Sequence, residues 1–192
     1  MMIEGLLAAL MGFFAPIPWA ILVIHILVLK NKWNFAATKV ITGLAVIFGW
    51  LVISYWLFGN YQILFLNQFE GVFAKLAGFV VLAVALTIEI FTTRALGTRR
   101  IFGSSELVQT KKDRLITDGI YKYARHPRYT EHPFWFLGLG LLFGYPALIL
   151  FSLYLFLAFA ITAYYEEQEL IKRYGEEYVI YKKKTPNFFI ST

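Results

Sequence analysis

A chain of 192 residues that is 59% hydrophobic and only 16% charged, with a mean hydropathy of +0.62, is too apolar for an ordinary soluble domain. Such domains run about 45–50% apolar and about 25% charged. The absence of cysteine excludes a disulfide scaffold, and three histidines at these spacings are too sparse for a zinc site, so no metal is expected.

Leu6 to Leu29 carries no Asp, Glu, Lys or Arg over 24 positions, and about 20 apolar residues suffice to cross a bilayer. The start MMIEG holds an acid rather than the basic residues of a signal peptide, so we expect a retained span, kinked by Pro16 and Pro18. A second charge-free run covers Val40 to Phe69; its first part spans, and GNYQILFLNQFEG reads as an interfacial turn. A third helix is expected from about Val72 to Thr93, with Lys75 and Glu89 near its ends. The last uncharged run, His132 to Tyr165, is 34 residues long and is broken at Gly144-Tyr145-Pro146. That is short for two full spans, so a tight hairpin over 129–165 is predicted, with a first arm of Tyr129 to Phe143 that starts below the membrane surface.

Charge placement sets the topology. Of 18 Lys and Arg, three (Lys30, Lys32, Lys39) flank the first connection, nine lie from Arg94 to Arg128, and five lie in the tail. With five spans all 17 fall on one side, which the positive-inside rule makes cytoplasmic. The net charge of +6 is therefore a topology signal first and an attraction to anionic membrane lipids second. Nucleic acid is not expected as a partner. The expected fold is an all-α integral membrane protein of about five transmembrane helices. Residues 1–93 would supply three spans, and 94–192 a second half made of a cytoplasmic loop, the hairpin and a helical tail bent at Gly175 and closed by Pro186.

Neither a phosphate-binding glycine loop nor a nucleophile elbow occurs in the sequence. The informative cluster is Tyr121, Tyr123, Arg125, His126, Arg128, Tyr129, Glu131 and His132, placed directly before the short arm. Pro127 keeps His126 out of an ordinary helical conformation and starts the helix. The far end of the hairpin supplies Glu166 and Glu167, and antiparallel arms return these to the same mouth. Charge at a hydrocarbon edge is costly unless it is paired or functional. Two readings stay open: a polar pocket facing lipid, or ordinary cytoplasmic anchors (Arg125, Arg128) beside solvated glutamates. Glu89 would pair with Arg94 or an arginine of the loop, His25 would make a polar contact between helices, and Gly138 and Gly140 would let helix backbones approach.

The stretch LITDGIYKYARHPRY, the hairpin, and then EEQELIKRYGEEYVIYKKKTP resemble the isoprenylcysteine carboxyl methyltransferase family, which is related to the phospholipid N-methyltransferases. One shared pattern falls on Gly119, Tyr121, Arg125, His126, Pro127 and Tyr129; the other falls on Glu166, Glu167, Leu170, Gly175, Glu176, Glu177, Tyr178, Tyr181 and Pro186. The resemblance implies an S-adenosylmethionine-dependent methyltransferase whose donor pocket lies on the cytoplasmic side. It also implies a lipophilic acceptor, a prenylcysteine-type carboxylate or a lipid amine, that enters from the bilayer of a prokaryotic cell membrane or the endoplasmic reticulum. Tyr121, Arg125, His126, Tyr129, Glu166, Glu167 and Tyr178 are then the expected donor-binding residues, with Arg125, Glu167 and His126 at the chemistry. Two departures bear on the acceptor: Glu131 stands where the family usually has glycine, and no arginine precedes the glutamate pair in AITAYYEE. The competing functional classes are an NADPH-dependent membrane reductase related to sterol reductases and a non-enzymatic carrier or scaffold.

Overall fold

The computed structural model describes residues 2–32, 36–66, 68–96 and 115–189. Most of the connection after the third span, with Arg99, Arg100, Lys111, Lys112 and Arg114, lies outside them. Among the described residues every regular element is helical.

Pro16 and Pro18 remove the backbone donors that would continue one long helix, so the first span is two helices, α1 (Met2–Phe14) and α2 (Ile17–Leu29). Trp19 Nε1 donates to Tyr154 Oη at 2.7 Å, and that hydroxyl donates to the Ala15 carbonyl at 2.6 Å, satisfying the backbone at the break. Pro16 keeps helical dihedrals and Ile3–Leu29 remains one spanning stretch, so the two helices meet at the kink expected. α3 (Ala36–Gly59) follows, then a single turn, α4 (Tyr61–Leu64), in the segment read as interfacial, and α5 (Val72–Leu96). A 3-10 turn over Gly119–Lys122 leads to α6 (Pro127–Phe143), α7 (Pro146–Tyr174) and α8 (Glu176–Lys184).

Among the described residues four stretches are long and apolar enough to cross a membrane: Ile3–Leu29, Ala37–Gly59, Val72–Leu96 and Pro146–Tyr174. α6 has 17 residues, about 25 Å at 1.5 Å per residue against a hydrocarbon core of about 30 Å. It is the short fifth helix of the expected hairpin. The molecule is an all-α integral membrane protein.

Close backbone approach holds the second half together. A Cβ on Gly78 of α5 would lie 2.7 Å from Leu142 N and 2.9 Å from Gly138 O, and one on Gly138 would lie 2.7 Å from Leu82 Cγ. Where helices have no water to escape, small residues at the crossing are what let dispersion contacts accumulate. The most extensive packing is between α5 and α6, followed by α6 with α7 and then α7 with α2. α3 touches mainly α1 and shows long apolar side chains such as Phe48 and Leu51 outward, the expected face toward lipid.

The tip of the hairpin is fixed by Gly144, which caps α6 at φ 73°. A Cβ there would collide with the Phe69 carbonyl, and the Gly144 carbonyl accepts from Phe69 N–H at 2.9 Å. Only glycine meets both demands.

Candidate functional site

Pro127 at the first position of α6 leaves His126 outside the helix at φ −124°, ψ 60°, so its side chain swings toward the other arm. α7 is continuous from Pro146 to Tyr174 and carries Glu166 and Glu167 to the same level. Gly175 then adopts φ 60°, ψ −132°, a conformation essentially restricted to glycine, and reverses the chain into α8. The tail returns over the mouth of the hairpin: the backbone N–H groups of Arg125 and His126 donate to the carbonyls of Pro186 at 2.9 Å and Asn187 at 3.0 Å.

Five charged groups converge there. Arg125 Nε donates to Glu167 Oε1 at 2.6 Å, while its Nη1 donates to the carbonyls of Lys182, at 3.1 Å, and Thr185. Lys182 Nζ lies 2.6 Å from Glu167 Oε2. His126 Nδ1 stands 3.1 Å from Glu166 Oε2, and its Nε2 stands 3.5 Å from Glu167 Oε1. The Arg125 and Glu167 side chains are only 9% and 5% exposed. Removal of either would leave its partner as a buried, uncompensated charge.

Burial lowers the affinity of the His126 ring for a proton, but the Glu166 and Glu167 carboxylates outweigh it and carry its pKa up to about 9. His126 is therefore a cation at neutral pH. Its ring stacks on Tyr129 at 5.4 Å and 3°, and Tyr129 stacks in turn on Phe159 at 4.8 Å. Phe188 of the tail closes the outer side, 6.4 Å from the imidazole and 5.3 Å from Phe156.

The remaining expected residues lie on the tail side of this cluster. Tyr181 donates its hydroxyl to the Tyr121 carbonyl at 2.7 Å. Tyr178 is 1% exposed, packs with Leu115 and Tyr181, and burial pushes its phenol pKa upward. Tyr178 Oη is buried and has no hydrogen-bond partner among the described residues. A buried polar atom is costly to leave unpaired, whereas Glu166 Oε2 and His126 Nε2 are already engaged in the ion pairs of the cluster.

Glu131 is not part of this cluster. It is two residues beyond Tyr129, about 200° around the helix, and its carboxylate sits within electrostatic reach of Glu89 on α5 and of Arg128. Glu131 Oε2 is buried and lacks a hydrogen-bond partner among the described residues. Of the partners expected for Glu89, the loop arginines Arg99, Arg100 and Arg114 lie outside the described residues, and Arg94 lies over the Phe91 ring at 5.9 Å. Beside it opens a cleft of about 490 Å³ lined by Phe91, Arg94, Ala95, Leu115, Asp118 and Ile120, among others.

Sequence reasoning did not find Lys182, Thr185 or Asn187. Lys182 sits in a run of three lysines that reads equally well as a cytoplasmic anchor. The carbonyls of Thr185, Pro186 and Asn187 carry no side-chain signal at all. Glu169 was also passed over, although it lies one helical turn beyond Glu166 and faces His25, with Oε2 2.6 Å from Nδ1.

Comparison with known proteins decides the family. The family model described as phospholipid methyltransferase matches residues 73–177, more than half of the chain. The chain belongs to that family. The matched segment contains α6, α7 and all of the mouth except the returning tail. Protein-S-isoprenylcysteine O-methyltransferase of Schizosaccharomyces pombe is 39% identical over 87 residues, 43% of this chain and 37% of that protein. The proteins of the same name from Saccharomyces cerevisiae and Mus musculus are 36% identical over 84 residues and 33% identical over 86. These matches cover 42% and 43% of this chain and 35% and 30% of those proteins, so the likeness spans about a third of the length of each relative. No solved structure matches the chain. Membership of a methyltransferase family implies a methyl donor.

Proposed function

We propose that this chain transfers the methyl group of S-adenosylmethionine to a lipophilic acceptor that reaches the hairpin mouth from the bilayer. A prenylcysteine-type carboxylate is the favoured acceptor. The observation that carries the reading is the convergence of Arg125, His126, Glu166 and Glu167 at one buried rim, inside the matched segment. In this reading 94–192 is the catalytic half, 1–93 is its membrane frame, and the mouth faces the cytoplasm.

The donor set fits a zwitterionic sulfonium compound. Glu166 offers a buried carboxylate, already paired with His126, for its ammonium or ribose hydroxyls, and Tyr178 offers a buried, unpartnered hydroxyl on the tail side. The flat ring pair of His126 and Tyr129 offers a stacking surface for its base. When bound, the sulfonium supplies a methyl group for in-line displacement. Arg125 has two of its nitrogens committed to Glu167 and to the tail carbonyls. Its role here is to fix Glu167 and bolt the tail over the mouth, rather than to act as an open receptor for a ligand carboxylate. Phe188, Phe159 and Tyr129 keep the rim dry, and opposite charges that neutralise as the reaction proceeds gain from a low-dielectric site.

The charge on His126 bears on the acceptor. An imidazolium at neutral pH orients an anion and is a poor base, as suits a carboxylate, which needs none. A lipid amine is the second reading, favoured by the match of residues 73–177 to the phospholipid methyltransferase family.

The test is transfer itself. Purified protein in lipid nanodiscs is incubated with methyl-labelled S-adenosylmethionine and, separately, a prenylcysteine, phosphatidylethanolamine and an isoprenoid acid. Base-labile label in the prenylcysteine is expected. Label in phosphatidylethanolamine alone would move the assignment to the amine, and failure of the donor to bind would reject the reading.

A further inference from the structure

The first span lies outside the family-matched segment, yet it carries one ionisable side chain between Leu6 and Leu29, His25, which is 2% exposed. A lone histidine there is expensive unless something answers it. Glu169 answers it, with Oε2 2.6 Å from His25 Nδ1 and side-chain exposures of 3% and 11%. Glu169 lies one turn beyond Glu166 on α7, so the two carboxylates share a face of the helix.

This contact is one rung of a ladder. The Pro18 carbonyl accepts from Thr162 Oγ1 at 3.0 Å, the Leu29 carbonyl accepts from Lys172 Nζ at 3.2 Å, and Asn31 Oδ1 accepts from the same ammonium at 2.9 Å. Along α2 the rungs rise in the order 18, 25, 29; along α7 they rise as 162, 169, 172. The two helices therefore run parallel and are held against sliding. The glutamates of the mouth sit between the rungs at 162 and 169. His25 and Glu169 form the rung made of two ionisable side chains that are both largely buried, where a strong directional contact sets axial position best.

We propose that His25 is a positioning residue for the reaction: through Glu169 it fixes the axial and rotational setting of α7, and thereby the placement of Glu166 and Glu167 against His126 and Arg125. The proposal rests on the methyl-donor reading of that mouth for its functional consequence. The α2–α7 setting itself does not depend on that reading.

Two measurements on the full chain in nanodiscs test it. The first is the dissociation constant for S-adenosylmethionine by calorimetry, together with the thermal midpoint, in His25→Leu, His25→Asn and Glu169→Leu. Asparagine keeps an N–H donor where Nδ1 stood. Loss of a contact to a charged group corresponds to about tenfold in affinity. His25→Leu and Glu169→Leu should therefore weaken binding roughly tenfold, and His25→Asn should restore it to within about threefold. The second is dipolar broadening between nitroxides at Val23→Cys on α2 and Tyr164→Cys on α7, both exposed positions in a chain with no cysteine of its own. The broadening should change in His25→Leu and return in His25→Asn. Unaltered donor affinity and unaltered broadening in His25→Leu overturn the proposal, as does a lowered thermal midpoint with neither readout moved. If the wild-type chain binds no donor, the functional reading fails, and the broadening alone then decides whether His25 sets α7.

Discussion

The two ends of the α6–α7 hairpin are held by opposite means. At the tip, Gly144 packs against the Phe69 carbonyl, Gln68 Nε2 donates to the Phe143 carbonyl at 2.7 Å, and Tyr145 meets Phe65 edge-on at 4.9 Å. Those contacts are backbone shape and aromatic packing, which a membrane interior rewards without desolvating charge. At the mouth, two acids, two cationic side chains and Lys182 are drawn together under a tail that exists in this position because Arg125 and His126 hold it. Buried ion pairs are weak devices for stability, because desolvation offsets much of their attraction. A hairpin closed at one end by ordinary packing has no structural need for so costly a closure at the other. The contrast is what singles the mouth out as the candidate site.

Breaking the mouth should have the largest effect. Glu167→Ala removes the partner of Arg125 and of Lys182 together, and a buried cation left uncompensated costs about 3–5 kcal/mol. We expect a large fall in the thermal midpoint and loss of measurable donor binding. Breaking the tip should cost less and only stability. Gly144→Ala forces a side chain into a left-handed conformation against the Phe69 carbonyl, about 2 kcal/mol or more. Protein that remains folded should bind the donor as the wild type does, and a matching loss of affinity would erase the distinction between the two ends.

The pH response sharpens the comparison further. His126 binds its proton more tightly in the folded chain than the ordinary value of 6.5, with a pKa of about 9. Its stabilising contribution is therefore complete below about pH 6.5 and is lost as pH rises through about 9. The thermal midpoint should fall across that window in the wild type, and His126→Asn should flatten this part of the profile. The smallest effect belongs to Lys182, whose side chain is 38% exposed. Lys182→Met should cost no more than about 1 kcal/mol after screening and should weaken donor binding only a few-fold. A loss as large as that of Glu167→Ala would mean that the ammonium, rather than Arg125, holds the carboxylate.

Much of the architecture was legible because membranes simplify the sequence code. Uncharged runs became helices, Gly144-Tyr145-Pro146 became the tip, Gly175 became the bend before α8, and Gly138 and Gly140 mark close approaches. The meeting of Arg125 with Glu167 followed from antiparallel arms and needed no side-chain detail. What was illegible arises from backbone and from degenerate signals. Pro16 and Pro18 announce the kink, but the side chain that satisfies the freed backbone there, Tyr154 reaching the Ala15 carbonyl from 136 residues beyond Pro18, carries no local signal. The tail's return over Arg125 and His126 uses main-chain carbonyls, which every residue possesses. Glu131 was placed among the mouth residues by its position in the chain, yet the 100° step of the helix turns it toward α5.

The central claim is that the hairpin mouth receives the methyl donor, and calorimetric titration of S-adenosylmethionine into the wild type and Glu166→Gln in nanodiscs tests it most directly. Saturable one-site binding by the wild type, weakened about tenfold or more when a charged hydrogen-bonding group is neutralised, is the predicted result. Equal affinity in the two proteins, or no binding by the wild type, would contradict it.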